Sequence, residues 1–377
     1  MAIQGSAQGI CSPCAASKSM IPQLRGPAET IGVVHLLSVP PEVSEAEPAI
    51  SVTPTTVTSP VGEPAGFEDS VSSYQDAGTR IFSVTQMAQS GKHPRPPPPS
   101  FIVEPTSAHT HSLILLHGLG SNGEKFGKEL IETGTTSNGS TLTQLLPGAR
   151  FIFPTSRRRR STAFGRSMLT QWFDIACLRD PSHRKEVQLR GLAESAQEIL
   201  DLLEQEMRTI PSSNIILGGL SQGCAMSLTV LLCLDYRIGG LVGMSGYLPF
   251  REDTEEAVKD PVVGENDPFS GDEEQEQHDP VVRACIFERD LLCLRPVEDP
   301  GYEKTALSTP IFLGHGSVDD KVPCSVGEAM AGTMQRAGYE VEWKCYQGQG
   351  HWYKIPDEID DIVQFLRSVV GWRMGSI

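Results

Sequence analysis

The sequence predicts an α/β architecture, a mostly parallel sheet with helices on both faces, carried by residues 101–372. Two observations predict it. From residue 101 onward, short apolar runs of strand length alternate with longer stretches of helical periodicity, the pattern of strands joined by crossover helices. Before that point the texture is different: the first hundred residues hold 14 of the 28 prolines and show no sustained period of either kind. Such a segment buries too little apolar surface to offset its ordering entropy, so a disordered tail is expected over 1–100.

Taken in chain order, residues 113–116 are wholly apolar and read as a buried strand that ends in a glycine-rich turn. Residues 151–153 read as a second strand. Leu189, Leu192, Ala196, Leu200, Leu203 and Met207 recur at helical spacing and predict an amphipathic helix. Residues 214–217 form a strand candidate running into Gly218 and Gly219, and 223–234 a mostly apolar helix. Further strands are expected at 238–244, 310–314 and 341–346, with helices at 325–337 and 358–370. One segment breaks the alternation. Residues 251–300 carry 16 Asp or Glu against 5 Lys or Arg, and an acidic insertion at about 251–305 is expected to leave the domain surface as a solvated excursion.

The whole chain of 377 residues has a formal net charge of −16, which argues against nucleic acid as a partner, because phosphate binding needs a basic face. The run Arg157–Arg160 is a local exception. Nine scattered cysteines do not form a secreted disulfide framework, and Cys11-x-x-Cys14 has no second pair at zinc-site spacing, so no metal is expected there. No apolar stretch is long enough to span a bilayer. A cytoplasmic protein is expected, with the nucleus also open. The polyproline run at 94–99 suits an SH3 or WW ligand and, more simply, a stiff spacer.

Gly219-Leu220-Ser221-Gln222-Gly223 matches G-x-S-x-G. The pattern recurs by chance in glycine-rich chains, but here it follows a strand and opens an apolar helix, the setting of a nucleophile elbow. A serine hydroxyl needs a base, and on such a sheet the chain order is Ser, acid, His. His351 lies in a glycine loop between the last strand and the last helix, where an exposed imidazole is expected; His278 falls in the acidic insertion and His315 at a strand end. Asp319 and Asp320 both follow the preceding strand and are both available as the acid. The backbone N–H of Gln222 and that of Leu119, in the loop after the first core strand, are candidate donors to an oxyanion.

Together, His117-Gly-Leu-Gly120, Trp172-Phe-Asp-Ile175, Gly218-Gly-Leu-Ser-Gln-Gly223, His315-Gly-x-x-Asp319-x-x-Val-Pro323 and Gly350-His351 fall in one order that resembles the acyl-protein thioesterase, or phospholipase/carboxylesterase, family of the α/β-hydrolase fold. The resemblance covers 101–372 apart from the acidic insertion. It implies a cofactor-free serine hydrolase acting on carboxylic esters or thioesters, lipidated proteins among them. It also implies the triad Ser221, Asp319 and His351, with Leu119 and Gln222 at the oxyanion. A small-molecule carboxylesterase or lysophospholipase is the alternative, and a non-catalytic binding protein on a hydrolase scaffold a remote one. Trp172 and Trp352 are candidates for lining the acyl pocket, against the competing reading of core packing. Cys224 stands where many members have Gly or Ala and is expected to pack in the core.

Overall fold

A computed structural model describes residues 96–259, 278–298 and 300–375. The sequence expectations for 1–95, Cys11 and Cys14 included, and for the centre of the acidic insertion fall outside these residues. The elements run β1 (Phe101–Val103), β2 (His111–Leu116), α1 (Gly123–Thr133), α2 (Leu142–Leu145), β3 (Ala149–Phe153), β4 (Arg158–Ser161), β5 (Ser167–Thr170) and α3 (Leu189–Met207). They continue with β6 (Ile215–Leu220), α4 (Gln222–Cys233), β7 (Gly240–Met244), α5 (Arg251–Val258), α6 (Pro280–Leu291), β8 (Ile311–Gly316), α7 (Cys324–Arg336), β9 (Val341–Tyr346) and α8 (Asp357–Ser368).

Seven strands form one sheet in the order β1-β3-β2-β6-β7-β8-β9, parallel throughout except for the antiparallel edge strand β1. Alternation along a strand sends successive side chains to opposite faces. In β2, Ile114 and Leu116 join the layer that holds α3, α4 and α7, whereas Leu113 and Leu115 join the layer of α1, α2 and α8. Both faces are therefore covered, which is why these strands read as unbroken apolar runs. The central helix α4 is buried on every side, as its apolar sequence requires. With that sheet order and helices on both faces, the domain has the α/β-hydrolase fold.

The described parts of the acidic insertion are not a solvated excursion. Its two ends form α5 and α6, and Val281, Val282, Ala284 and Cys285 of α6 are buried in the core layer. The acidic composition hid this because net charge averages over a segment, whereas docking needs only a few apolar positions on one face of a helix. Among the acids, Glu288 is itself buried. Burial pushes its carboxyl up to about 8, against the pull of the Thr229 hydroxyl. A group with a raised folded pKa contributes stability that is full below its unfolded value, 4.5, and is lost as the pH rises through about 8. Glu288→Gln should thus flatten the alkaline limb. Thermal melts at about pH 6 and pH 9 should show the wild type losing a few degrees more than the variant. Parallel losses in the two proteins would show that Glu288 is ionised at no cost in the folded state.

The arginine run also takes a structure that its composition did not announce. Arg158–Ser161 is a strand, β4, paired antiparallel with β5 in a separate two-stranded ribbon. Arg157 pairs with Glu198 and Arg159 with Glu194, both on α3, while Arg158 and Arg160 face outward. Half of the run thus ties the ribbon to α3 rather than presenting charge to solvent.

Candidate active site

Ser221 sits between the end of β6 and the start of α4 with φ 57° and ψ −118°, a conformation that costs of the order of 1–3 kcal/mol for a residue with a side chain. The surrounding packing holds it there. Its N–H donates to Met244 O at 2.8 Å. A Cβ on Gly223 would lie 2.0 Å from Leu116 O, and one on Gly219 2.5 Å from the same atom, so strand β2 approaches the elbow as closely as it does because both positions are glycine. The sharp turn lifts the serine hydroxyl to the carboxyl edge of the parallel sheet.

The loops after β8 and β9 meet it there. Ser221 Oγ lies 2.8 Å from His351 Nε2, and His351 Nδ1 lies 2.7 Å from Asp319 Oδ2. The other carboxylate oxygen of Asp319 accepts hydrogen bonds from the N–H groups of Lys321 (2.8 Å) and Val322 (3.0 Å). Burial opposes the charge on Asp319, but the bonds from His315 and His351 outweigh it and hold the carboxyl well below the usual carboxylate range. An ionised acid in that position fixes the proton of His351 on Nδ1 and leaves Nε2 free to accept from Ser221. Asp320, the other acid that the sequence offered, is exposed and pairs with Lys321 at 2.9 Å.

Two histidines outside this chain of contacts hold its supporting loops. His315 is fully buried; its Nε2 donates to Val322 O at 2.9 Å and stands 3.3 Å from Asp319 Oδ2. It therefore braces the acid as well as capping the strand end. His117 is also buried: its Nε2 accepts from Ser156 N at 3.1 Å and its Nδ1 donates to Gly118 O at 2.8 Å. Burial drives its pKa down to about 4, so the ring stays neutral and serves as a rigid peg for the loop after β2. The only trace of these roles in the sequence is that each histidine precedes a glycine at a strand end.

Trp172 does not line an open pocket. Its side chain is 1% exposed, its indole N–H donates to His117 O at 2.8 Å, and its own backbone N–H donates to the Gln222 side chain at 3.0 Å. The indole is large enough to fill the gap between β5, the elbow and the loop 117–120, and its one polar atom finds a partner there, which draws it inward. Trp352 is half-buried beside His351, with its ring 5.2 Å from that of Tyr353. Gly118, the neighbour of Leu119, lies against Ser221, where an added Cβ would meet the serine Cβ at 3.5 Å, and Gln222 follows the serine as the first residue of α4. Cys224, in the first turn of α4, is fully buried with its thiol pushed up to about 12, which makes it packing rather than chemistry. A cavity of about 300 Å³ lined by Lys185, Leu248, Phe250 and Val326 lies apart from the three contacting side chains. Among the described residues no cluster of His, Cys, Asp or Glu is placed to hold a metal, and no helix is long and apolar enough to cross a membrane.

Ser221 in its strained turn, His351 and the buried Asp319 meet at the carboxyl edge of a sheet with the α/β-hydrolase fold. Comparison with known proteins goes further. Residues 98–263 match the phospholipase/carboxylesterase family, and residues 296–372, which carry Asp319 and His351, match the prolyl oligopeptidase family. Acyl-protein thioesterase 1 of Yarrowia lipolytica is 27% identical over 275 residues, 72% of this chain and 97% of that protein. Its counterpart in Debaryomyces hansenii is 24% identical over 262 residues, 69% of this chain and 91% of that protein. That of Schizosaccharomyces pombe is 33% identical over a shorter stretch of 151 residues, 40% of this chain and 62% of that protein. The crystal structure of Zea mays acyl-protein thioesterase 2 shares the fold, with a TM-score of 0.51 and 24% identity over 72% of this chain and 99% of that one. Over residues 98–263 the chain is similar to the phospholipase/carboxylesterase family, and it is a hydrolase of the esterase and thioesterase type.

Proposed function

We propose that the protein is a serine hydrolase that cleaves thioesters of S-acylated proteins through an acyl-enzyme. Ser221 is the nucleophile, His351 the general base and Asp319 the acid that orients it. The observation that carries the reading is the continuous contact Ser221 Oγ to His351 Nε2 to Asp319 at 2.8 and 2.7 Å, on a serine held in a strained turn. In this scheme His351 takes the serine proton as Oγ attacks the acyl carbon, and the resulting oxyanion is met by the N–H groups of Leu119 and Gln222. The imidazolium then protonates the leaving thiolate or alkoxide, and the same ring activates the water that releases the acid. Oxyanion stabilisation is an electrostatic effect whose strength depends on donors that need not move. The bonds around His117 and Trp172 supply that rigidity to the loop carrying Leu119.

The acylated-protein substrate is inferred from the names of the relatives, which are acyl-protein thioesterases. Carboxylesterase or lysophospholipase activity is the second reading, favoured by the family description over 98–263. A fluorophosphonate probe separates the mechanism from the substrate question. It should label the wild type at Ser221 and leave Ser221→Ala unlabelled; equal labelling of both proteins would remove Ser221 as the nucleophile. A panel of acyl esters and thioesters from acetyl to palmitoyl then reads chain length and leaving group. Turnover confined to short oxygen esters would decide for the second reading.

A further inference from the structure

We propose that Cys324 and Cys345 form a dithiol–disulfide site which a hydroperoxide oxidises, and that the disulfide disarms the loop carrying Asp319. The two Sγ atoms lie 3.3 Å apart, although the residues are 21 positions apart in the chain and belong to different elements. Cys324 is the first residue of α7, directly after Pro323, where the Asp319 loop ends. Cys345 is on β9, paired with His315 in the β8–β9 ladder. Cys345 is exposed and Cys324 partly so, whereas Cys224, Cys233 and Cys285 are buried away from any aqueous oxidant. The pair thus joins two features that neither cysteine has alone: access from solvent and a second sulfur already in contact.

The chemistry balances with the peroxide as the only co-reactant. The exposed Cys345 sulfur, as thiolate, attacks the O–O bond of the hydroperoxide, which breaks to leave a sulfenic acid and an alcohol, or water when the oxidant is hydrogen peroxide. The Cys324 sulfur then attacks the sulfenic sulfur; the S–S bond forms, the S–O bond breaks and water leaves with the remaining thiol proton. Two thiols lose two electrons and the peroxide gains them. Burial and the hydrogen bond with Cys345 push the Cys324 thiol up to about 12, so the first attack falls to the exposed Cys345.

A disulfide bond is about 2.05 Å long, so the sulfurs must close from 3.3 Å by more than an ångström. β9 is held by six residue pairs with β8, whereas the first turn of α7 has no ladder bonds, so the movement falls on residues 323 and 324. Val322, next in line, donates its N–H to Asp319 Oδ1 at 3.0 Å and accepts from His315 Nε2 at 2.9 Å. Pulling Val322 toward β9 therefore shifts the acid against His351. The effect on turnover rests on the triad reading above; formation of the disulfide does not.

The test treats full-length reduced protein with hydrogen peroxide, alkylates the remaining thiols and maps peptides without reduction. Turnover of an acyl ester is followed before oxidation, after it and after dithiothreitol. The expected result is a linked Cys324–Cys345 peptide pair, two hydrogens lighter than the separate peptides, and a kcat lower by roughly tenfold to a hundredfold with little change in KM. Dithiothreitol should restore the rate. Cys345→Ser and Cys324→Ser should keep the reduced-state rate and resist peroxide, while Cys293→Ser, at another exposed thiol, should respond as the wild type does. Absence of the linked peptide overturns the site. A linked peptide with unchanged kcat, or Cys345→Ser inactivated as fast as the wild type, overturns its coupling to Asp319. A linked peptide in a protein inactive even when reduced leaves the redox site standing and removes the triad reading instead.

Discussion

Replacing His351 by alanine will lower kcat/KM for an activated acyl ester by roughly 10⁴-fold or more, and Ser221→Ala will do the same. The two side chains act on one proton: without the imidazole the hydroxyl is a weak nucleophile, and without the hydroxyl the imidazole has nothing to deprotonate. Their effects should therefore not add. The double variant should lose no more than about tenfold beyond the worse single variant, because both routes leave only the oxyanion donors and substrate binding. All three proteins should melt with the wild type within a few degrees, since Ser221 and His351 bond to each other and little of the core depends on either. Single variants that keep activity within tenfold of the wild type would break the proposed pair.

The second large effect separates two neighbouring acids. Asp319→Asn should lower kcat by at least roughly 10², and Asp320→Asn by less than about tenfold. The geometry predicts the difference. Asp319 is 9% exposed and meets His351 Nδ1 at 2.7 Å, whereas Asp320 points to solvent and pairs with Lys321. An amide at 319 can present its N–H₂ to Nδ1 and so favour the tautomer that puts the proton on Nε2, where it blocks the serine; in chymotrypsin-type triads that change costs about 10⁴. At 320 the change removes only a solvent-screened ion pair with Lys321. Kinetics on the two variants, with melting temperatures matched, decide the matter. A crippled Asp320→Asn beside a healthy Asp319→Asn would reassign the acid.

Residues whose role follows from chain order and local pattern are legible in the sequence. The strand-turn-helix around Ser221 is a local event: an apolar run, glycines where β2 crowds the turn, and an apolar helix after it. His351 in its glycine loop and an acid after β8 follow from the order of strands in such a sheet. The inner strands β2, β6, β7 and β8 are readable because a strand buried on both faces is apolar along most of its length, whereas β9 at the edge carries Glu342 and Lys344.

What the sequence by itself determined is therefore the class of sheet, the elbow, and two acids between which spacing alone cannot choose. The tertiary structure decided everything that depends on which side chains meet across elements. It turned Asp319 inward and Asp320 outward, because backbone N–H groups of residues 321 and 322 close on one carboxylate and stabilise its charge. It buried Trp172 against the elbow, where a lone tryptophan in the sequence suits a pocket as well as a core. The arginine run became a strand with alternate side chains paired to α3, and the acidic insertion became helices that bury apolar positions and one acid. It also brought Cys324 to Cys345. These are contacts between residues tens of positions apart. Composition averages over such residues and local periodicity reports only neighbours, so neither signal carries the information that packing supplies.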